Sequence, residues 1–308
     1  MSAPTPPILT PSAPTPIPRQ RTILVTGAGG QLGRELQAAA SGVPPNYTFF
    51  FAGREELPIA DPDRLHSFFT ANRPDICINC AAYTAVDKAE TEKDLAYQVN
   101  GEAVGSLAAA CKAVGARLFH ISTDYVFDGH SASPLKETDP TGPINIYGAS
   151  KLRGEQLAMA QYPEGTVIIR TSWVYSEFGN NFVRTMIRLL REKPAISVVD
   201  DQIGSPTYAA DLAAVLLHIA TGPVFVPGIY HYSNEGRISW YEFALAIRER
   251  IASHCSVNPI PTAQYPTPAR RPHYSLLDKS LIRSTYGIDI PDWQESLDIC
   301  IARLSAGS

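Results

Sequence analysis

The chain has 308 residues, of which 44% are hydrophobic, and a formal net charge of −4 at pH 7. This length and composition are typical of a soluble globular protein with one large α/β domain and a smaller lobe. The slightly acidic balance predicts no nucleic-acid or anionic-membrane partner, and no apolar stretch reaches the ~18 residues of a membrane span, so a small soluble ligand is expected.

Residues 1–20 contain seven prolines among Ser, Ala and Thr. No charged segment leads into an apolar one, so this stretch is not a secretory signal, and we predict a disordered tail. The five cysteines show no spacing that is typical of a zinc site. Cys77 and Cys80 match C-x-x-C, but they lie in an apolar run, where two buried strand thiols are the simpler interpretation. Reduced thiols predict a cytoplasmic protein.

From residue 22 onward, apolar runs alternate with segments of helical period. The predicted strands are residues 23–26, 48–51, 76–80, 118–122 and 167–171, and the clearest helical segments are 96–114 and 150–160. Strands that alternate with helices predict an α/β fold with a Rossmann-type, doubly wound parallel sheet.

After residue 173 the alternation weakens, and prolines separate short helices such as residues 240–251. We therefore predict an NAD(P)-binding domain over residues 21–172. Residues 173–308 form mainly a smaller substrate-binding lobe, with some segments returning to the first domain. In doubly wound folds the ligand lies beyond the carboxyl ends of the strands, where such a lobe would contact it.

The first candidate site is a glycine turn between the first strand and the helix that follows it. Gly27, Gly30 and Gly33 have the G-x-x-G-x-x-G spacing. In this position glycine permits a tight turn, close approach of the backbone to a pyrophosphate and close helix packing, while the helix N-terminus offers N–H groups to the anion. The turn predicts a dinucleotide site.

Arg54 follows the second strand, where a site selective for NAD usually presents an acid to the ribose 2′-hydroxyl. A guanidinium can instead pair with a 2′-phosphate. The sequence therefore favours NADPH, with NADH as a possible alternative.

The second candidate site combines Tyr147 and Lys151, which lie on one face of a predicted helix. An ammonium group there would stabilise the phenolate and move the tyrosine pKa from about 10 toward working pH. Tyr147 is then a candidate general acid for an alkoxide that forms at a reduced carbonyl. Ser122 and Thr123 end the preceding strand, and either hydroxyl could orient that carbonyl.

Together these motifs resemble the dTDP-4-dehydrorhamnose reductase family of extended short-chain dehydrogenases/reductases. The resemblance covers nearly everything but the tail. It rests on residues 25–33, 79–90, 122–127, 147–151, 170–175, 201–207 and 265–272.

The resemblance implies reduction of the 4-keto group of a nucleotide-linked deoxysugar, with Tyr147 as proton donor, Lys151 as its activator and ribose contact, and Thr123 tuning the tyrosine. The glycine turn, Arg54 and the Tyr147–Lys151 pair already predict cofactor contacts, and the resemblance implies further ones. Together the predicted cofactor contacts are Gly27, Gly30, Gln31, Leu32, Gly33, Arg54, Ile59, Ala82, Tyr83, Thr84, Tyr147 and Lys151. The implied substrate contacts are Thr84, Val86, Thr123, Asp124, Trp173 and Arg271.

The sequence departs from the family pattern at two places. Pro58 stands where many relatives have an acid near the adenine, which leaves backbone groups and Asp61 for that contact. Some relatives hold Mg²⁺ with three acids at a dimer interface, and the matching positions here are Glu35, Asp211 and Gln294. An amide is a poorer ligand for a hard cation. We therefore predict no required metal, and either a monomer or a homodimer.

Three other functions compete with the reductase. A 4,6-dehydratase would have Asp-Glu after the threonine, whereas this chain has Asp124 and Tyr125. A 4-epimerase lacks a single excluding motif, but Arg54 and the later motifs fit a reductase better. The resemblance also extends to a non-catalytic protein, the beta regulatory subunit of methionine adenosyltransferase.

Overall fold

A computed structural model describes residues 19–306 of the chain. Residues 1–18 of the predicted tail lie outside the described residues. Arg19 donates a hydrogen bond from Nη2 to Asp75 Oδ1 over 2.9 Å, immediately before the first strand. None of the helices within 19–306 is both long and apolar enough to cross a membrane.

Half of the strands within residues 19–306 belong to one sheet. The strands span Arg21–Thr26 (β1), Tyr47–Ala52 (β2), Ile76–Asn79 (β3), Arg117–Thr123 (β4), Thr166–Thr171 (β5), Val174–Tyr175 (β6), Ala195–Val199 (β7), Ile203–Gly204 (β8), Thr207–Tyr208 (β9), Gly228–His231 (β10), Ile238–Ser239 (β11) and Ser256–Ile260 (β12). Six of them form a parallel sheet in the order β10-β5-β4-β3-β1-β2. All five predicted strands are present, with ends that differ by at most two residues.

Helices cover both faces of this sheet. The α-helices span Gln31–Ala39 (α1), Pro62–Asn72 (α2), Val86–Ala89 (α3), Lys93–Tyr97 (α4), Ala103–Val114 (α5), Ile146–Gln161 (α6), Phe182–Glu192 (α7), Ala209–Thr221 (α8), Trp240–Arg250 (α9), Ser280–Tyr286 (α10) and Trp293–Ala306 (α11). Residues alternate along β1, so Ile23 and Val25 pack with α1, α8 and α10, whereas Leu24 packs with α2, α5 and α6. The predicted doubly wound α/β fold is confirmed.

One predicted helix is interrupted. The segment expected as one helix over residues 96–114 contains a π-helical stretch, Gln98–Glu102, between α4 and α5. The wider turn accompanies the inward placement of Asn100, whose amide bonds with the backbone of Tyr83. The pattern of apolar residues cannot reveal the π-helical stretch, because one wide turn shifts the helical spacing of those residues by only one position.

A separate core lies in the second half of the chain. It packs Tyr175, Val183, Tyr208, Phe243 and Trp293 among other residues, and the chain enters it directly from the carboxyl end of β5. However, β10, α8 and α10 pack with the large sheet, although they follow residue 173. The smaller lobe therefore begins at the edge of the sheet where strand-end residues could hold a ligand.

Candidate active site

The glycine turn joins β1 to α1 and leaves no space for a side chain at Gly27 or Gly33. Gly27 has φ +66°, and a Cβ there would lie 2.5 Å from the backbone nitrogen of Ala81. A Cβ at Gly33 would lie 2.5 Å from the Gly27 carbonyl oxygen. Helix α1 begins after Gly30 without a side-chain cap. An uncapped helix N-terminus beside a tight glycine turn fits the pyrophosphate of a dinucleotide.

Two residues predicted to touch the cofactor place their side chains in the core. Leu32 packs between α1 and the sheet, and Ile59 packs in the core on the opposite face. These two residues would therefore contact a cofactor through backbone atoms. Gln31 has its side-chain oxygen 2.9 Å from Asn181 Nδ2, which donates to it from the smaller lobe.

Arg54 lies exposed in the turn that follows β2. Arg64 donates to the carbonyl oxygens of Glu55 and Glu56, at 3.1 and 2.8 Å from Nη2, and so braces this turn. Asp61 caps α2 by accepting from the backbone N–H of Arg64. Its carboxylate thus already has a partner, which limits the adenine contact that we expected from it.

The stretch over residues 82–84 lies along the same edge of the sheet, after β3. The backbone N–H of Tyr83 donates to Asn100 Oδ1 over 2.8 Å, and Asn100 Nδ2 donates to the Tyr83 carbonyl over 3.0 Å. Asn100 Nδ2 also lies 3.0 Å from Ser150 Oγ. Ala82 is half-buried and Thr84 is exposed, so this stretch is open to a ligand.

Tyr147 and Lys151 lie on the first turns of α6. Asn145 caps this helix by accepting from the Gly148 N–H over 2.7 Å, and Glu90 accepts from the Ile146 N–H over 2.8 Å. The Thr123 hydroxyl, at the carboxyl end of β4, lies near the Tyr147 phenol and acts to lower its pKa. The structure therefore brings Thr123 and Tyr147 together at this edge of the sheet, and the tuning role that the resemblance implies for Thr123 stays a prediction.

The predicted effect of Lys151 on Tyr147 differs from what the structure shows. Burial raises the pKa of Tyr147 to about 12, although the nearby Thr123 hydroxyl acts in the lowering direction. Burial lowers the pKa of Lys151 to about 8. Lys151 Nζ donates to the Ile121 carbonyl and lies 3.4 Å from His120 Nε2. The expected lowering of the Tyr147 pKa is wrong for this structure, because desolvation outweighs the favourable contacts.

Asp124 is buried directly beside these groups. Its Oδ1 accepts from the Thr123 hydroxyl over 3.0 Å, while Oδ2 has no partner among the described residues. Burial raises the pKa of this carboxyl to about 7, although the nearby Ser275 and Thr123 hydroxyls act in the lowering direction. Its negative form in turn raises the pKa of Tyr147. Asp124 therefore influences Tyr147 by its charge and by its hydrogen bond with Thr123.

Trp173 lies in a bend between β5 and β6, not on an apolar strand. Its φ is +48°, a left-handed conformation that is costly for a bulky residue. The indole is half-buried and packs close to Gly204, where a Cβ would come within 2.9 Å of the ring. Strained backbone that holds a partly exposed indole is typical of a ligand contact.

Arg271 and Asp87 connect the lobe to the segment after β3. Arg271 Nη2 donates to Asp87 Oδ2 over 2.8 Å, and Nη1 donates to Oδ1 of the same carboxylate. This pair holds the pKa of Asp87 below its usual value. Val86 begins α3 next to Asp87 and is half-buried. Arg271, a predicted substrate contact, is thus already paired with Asp87 within the chain.

Comparison with known proteins agrees with this arrangement. The family model described as "RmlD substrate binding domain" matches residues 21–306. The chain belongs to this family. It is 44% identical over 285 residues to the dTDP-4-dehydrorhamnose reductase of Aggregatibacter actinomycetemcomitans, covering 89% of this chain and 96% of that protein. The family predicted from the sequence is confirmed.

Solved structures of similar proteins share the fold across nearly the whole chain. A dTDP-4-dehydrorhamnose reductase from Clostridium acetobutylicum has a TM-score of 0.88 and 41% identity, covering 92% of this chain and 99% of that one. The enzyme of the same name from Bacillus anthracis str. Ames was solved in complex with NADP. It has a TM-score of 0.86 and 41% identity, with the same coverage.

The three positions matched to the metal ligands of some family members have separate contacts here. Glu35 accepts from the Ser176 hydroxyl over 2.6 Å, and Asp211 Oδ2 accepts from Asn234 Nδ2 over 2.7 Å. Gln294 is exposed. Within residues 19–306, no group of three or more His, Cys, Asp or Glu side chains is placed to hold a metal ion. The absence of a metal requirement stays a prediction.

Several residues beside the family motifs escaped the sequence analysis. Asn100 orders the backbone at Tyr83, and Trp240 stacks on Trp173. His120 contacts Lys151 from within a buried strand. Only His120 left a signal in the sequence. It is a polar residue in an apolar run, two positions before Ser122 and therefore on the same face of the strand.

Proposed function

We propose that this chain is an NADPH-dependent reductase that converts the 4-keto group of dTDP-4-dehydro-L-rhamnose into the hydroxyl of dTDP-L-rhamnose. The observation that carries the proposal is the Tyr147 phenol, which lies near Thr123 at the same edge of the sheet as the glycine turn. Family membership and 44% identity to a protein named for this reaction support the choice of substrate.

The proposed chemistry uses the chain's residues to place and move one proton. Bound NADPH supplies the hydride to C4 of the sugar. The Thr123 hydroxyl, which donates to Asp124 Oδ1 in the free protein, would turn to donate to the carbonyl oxygen, and Tyr147 donates its phenolic proton to that oxygen as negative charge develops there. A phenolate remains on Tyr147, and the Lys151 ammonium on the same helix stabilises it. Lys151 is buried and Tyr147 is half-buried, which limits competition from water for that proton.

The proposed cofactor site begins at the glycine turn. Gly27, Gly30 and Gly33 leave room for the pyrophosphate, with the backbone of Gln31 and Leu32 at the helix N-terminus. Ile59 and residues 82–84 would line the adenine and nicotinamide ends, and Lys151 would reach the ribose. Arg54 is exposed and makes no side-chain hydrogen bond within the described chain, so it is available to a 2′-phosphate. NADH would bind without that contact.

The proposed substrate site lies between the sheet edge and the smaller lobe. We assign the cofactor to the domain of residues 21–172 and the nucleotide-sugar mainly to the lobe of residues 173–308. Thr84, Val86, Asp124, Trp173 and Arg271 would line it, with Thr123 at the reacting carbonyl. Trp173 offers an aromatic face to the base or the sugar, and Arg271 offers a cation to the diphosphate.

The proposed partners are small molecules, without nucleic acid or membrane, in a monomer or a homodimer that sedimentation velocity would distinguish. We place the enzyme in the cytoplasm, where reduced thiols match the free cysteines of the described chain.

Loss of NADPH absorbance at 340 nm on addition of dTDP-4-dehydro-L-rhamnose tests the function directly. We expect turnover, a dTDP-L-rhamnose product, and no turnover with dTDP-glucose. A 4-epimerase would change the sugar without net NADPH consumption. A regulatory protein would bind NADPH, seen by calorimetry, yet leave both substrates unchanged, and either result would overturn the proposal.

A further inference from the structure

A row of buried polar side chains crosses the sheet on the face that α6 covers. Thr26 on β1, Asn79 on β3 and His120 on β4 are direct partners in the strand register. Each is at most 1% exposed. The Thr26 hydroxyl donates to Asn79 Oδ1 over 2.6 Å, and Asn79 Nδ2 lies 3.0 Å from His120 Nδ1. The row begins one residue before the glycine turn and ends at Lys151.

The contacts of Asn79 fix which nitrogen of His120 carries the proton. The backbone N–H of Ala81 lies 3.2 Å from Asn79 Oδ1, and a backbone N–H can only donate. Because Oδ1 accepts from both Ala81 and Thr26, the amide nitrogen Nδ2 must face His120 and donate to Nδ1. Burial and the nearby Lys151 hold the pKa of His120 well below its usual value, so the ring is neutral. Its single proton is therefore on Nε2.

This tautomer places an N–H bond toward Lys151. Lys151 Nζ lies 3.4 Å from His120 Nε2, and its other contact is the Ile121 carbonyl oxygen. An ammonium group would face the Nε2–H donor with its own hydrogens, which is unfavourable. A neutral amine could accept that hydrogen. The contact therefore opposes the charged form of Lys151, in the same direction as burial.

The other ionisable groups near Lys151 are few. Glu155, one turn further on α6, favours the ammonium, as does the negative form of Cys80. Glu155 is itself held by Arg170, whose Nη2 lies 2.7 Å from Oε2, and by the Ser122 hydroxyl. The Cys80 thiol is neutral at ordinary pH because burial raises its pKa far above the usual value. Among these groups, only His120 presents a donor directly to Nζ.

We propose that His120 is a positioning residue, held by Asn79 in one tautomer, that places Lys151 Nζ and limits its affinity for a proton. The catalytic consequence rests on the proposed function, because Lys151 must be charged to stabilise the Tyr147 phenolate. Turnover should then fall as the pH rises through the Lys151 pKa, and the row determines where that fall occurs.

Two substitutions should move this fall in a direction that burial alone does not predict. In Asn79→Asp, a carboxylate faces Nδ1 and cannot donate, so the imidazole proton moves to Nδ1 and Nε2 accepts from the Lys151 ammonium. In His120→Phe, a ring of similar size removes the opposing N–H. We expect both variants to shift the high-pH limb of kcat upward, by about one pH unit for Asn79→Asp. If His120 only filled space, the more apolar Phe ring would disfavour the Lys151 ammonium at least as strongly. The high-pH limb of kcat would then stay in place or move to lower pH.

Thr26→Val is the matched control within the row. It removes one donor to Asn79 Oδ1 but leaves the Ala81 N–H, so the tautomer and the position of the high-pH limb should stay unchanged. His231→Phe is the control for loss of a buried imidazole, since its Nδ1 contacts the Leu135 carbonyl and not Lys151. It should not move the limb either.

Nuclear magnetic resonance tests the inference without turnover. Ring ¹⁵N shifts, assigned by the loss of signal in His120→Phe, should report an Nε2–H tautomer in the unmodified protein and an Nδ1–H tautomer in Asn79→Asp. Titration of ¹⁵N-labelled lysine, assigned with Lys151→Met, should give a higher Lys151 pKa in Asn79→Asp. An Nδ1–H tautomer in the unmodified protein, or an unmoved Lys151 pKa in Asn79→Asp, would overturn the inference. If these signals behave as expected and the ketosugar is not reduced, only the proposed function fails.

Discussion

The indole of Trp173 stacks on the indole of Trp240, with ring centroids 3.7 Å apart and planes inclined by 13°. The pair joins the bend after β5 to the first residue of α9, which Ser239 and Glu242 cap reciprocally. Trp240 also packs on Phe182 of α7. Three elements of the lobe thus support an indole whose own backbone is strained, and the stack compensates for that strain.

Trp240→Leu should therefore weaken binding of the nucleotide-sugar. A stacked aromatic pair contributes about 0.5–1.5 kcal/mol beyond its buried area, so we expect KM for the sugar nucleotide to rise about twofold to tenfold. The dissociation constant of NADPH should not change. Steady-state kinetics and calorimetry measure the two constants. Trp240→Phe should retain most of the affinity, and an equal loss in both variants would show that stacking is not what matters.

Tyr147→Phe should lower kcat by about 10²–10⁴-fold, because it removes the proton donor but keeps the ring. NADPH affinity should be nearly unchanged. The comparison variant is Tyr125→Phe, since the Tyr125 ring lies edge-on to Tyr147 with centroids 5.8 Å apart. It should cost far less activity. Single-turnover rates at saturating NADPH provide the measurement, and near-native kcat in Tyr147→Phe would remove this residue from the chemistry.

Arg54→Glu should raise KM for NADPH much more than KM for NADH. The new carboxylate would repel a 2′-phosphate but could accept from a 2′-hydroxyl. Arg54→Lys keeps the charge and should give an intermediate KM for NADPH. Initial rates with both cofactors measure the effect. Equal changes for NADPH and NADH would mean that Arg54 does not contact the 2′-phosphate.

Asp124 should make the folded protein less stable as the pH rises. Its pKa is raised to about 7 in the folded chain, against about 4 when unfolded, so the folded state binds the proton more tightly between these values. The free energy of unfolding should therefore decrease across that window. Asp124→Asn removes this contribution, so its stability relative to the unmodified protein should improve from pH 5 to pH 8.

Urea unfolding at pH 5 and pH 8 gives the free energy of unfolding of both proteins. Between these pH values, we expect the stability of Asp124→Asn relative to the unmodified protein to rise by at least about 1 kcal/mol, since one pKa unit corresponds to about 1.4 kcal/mol. Burial also raises the pKa of Glu35 to about 7, so Glu35 contributes to the pH dependence of stability in both proteins. That contribution cancels when the unfolding free energy of the unmodified protein is subtracted from that of Asp124→Asn. A difference that stays constant between pH 5 and pH 8 would show that Asp124 titrates normally.

Treatment with EDTA should leave reductase activity intact. Glu35 and Asp211 have hydrogen-bond partners inside the chain, and Gln294 offers an amide where some relatives have an acid. Rates before and after dialysis against EDTA are compared at equal NADPH. Activity that disappears and returns with Mg²⁺ alone would mean that the ligands lie elsewhere.

Local patterns were sufficient for the features that depend on neighbours in the chain. The spacing of Gly27, Gly30 and Gly33 after an apolar run defines a strand, turn and helix, because the backbone packing leaves no room for a Cβ at Gly27 and Gly33. Tyr147 and Lys151 share a helix face for the same kind of reason. The alternation of strands and helices predicted the doubly wound sheet, and the sequence motifs identified the family.

Contacts between distant segments were decided only by the tertiary structure. Thr26, Asn79 and His120 form a row because parallel register aligns three strands, and Asp87 meets Arg271 because the lobe folds back over the sheet edge. The pKa of Tyr147 moved opposite to the sequence-based expectation for a related reason. A sequence shows which charges are near in the chain, whereas desolvation depends on everything that packs around a group, and that is known only once the chain has folded.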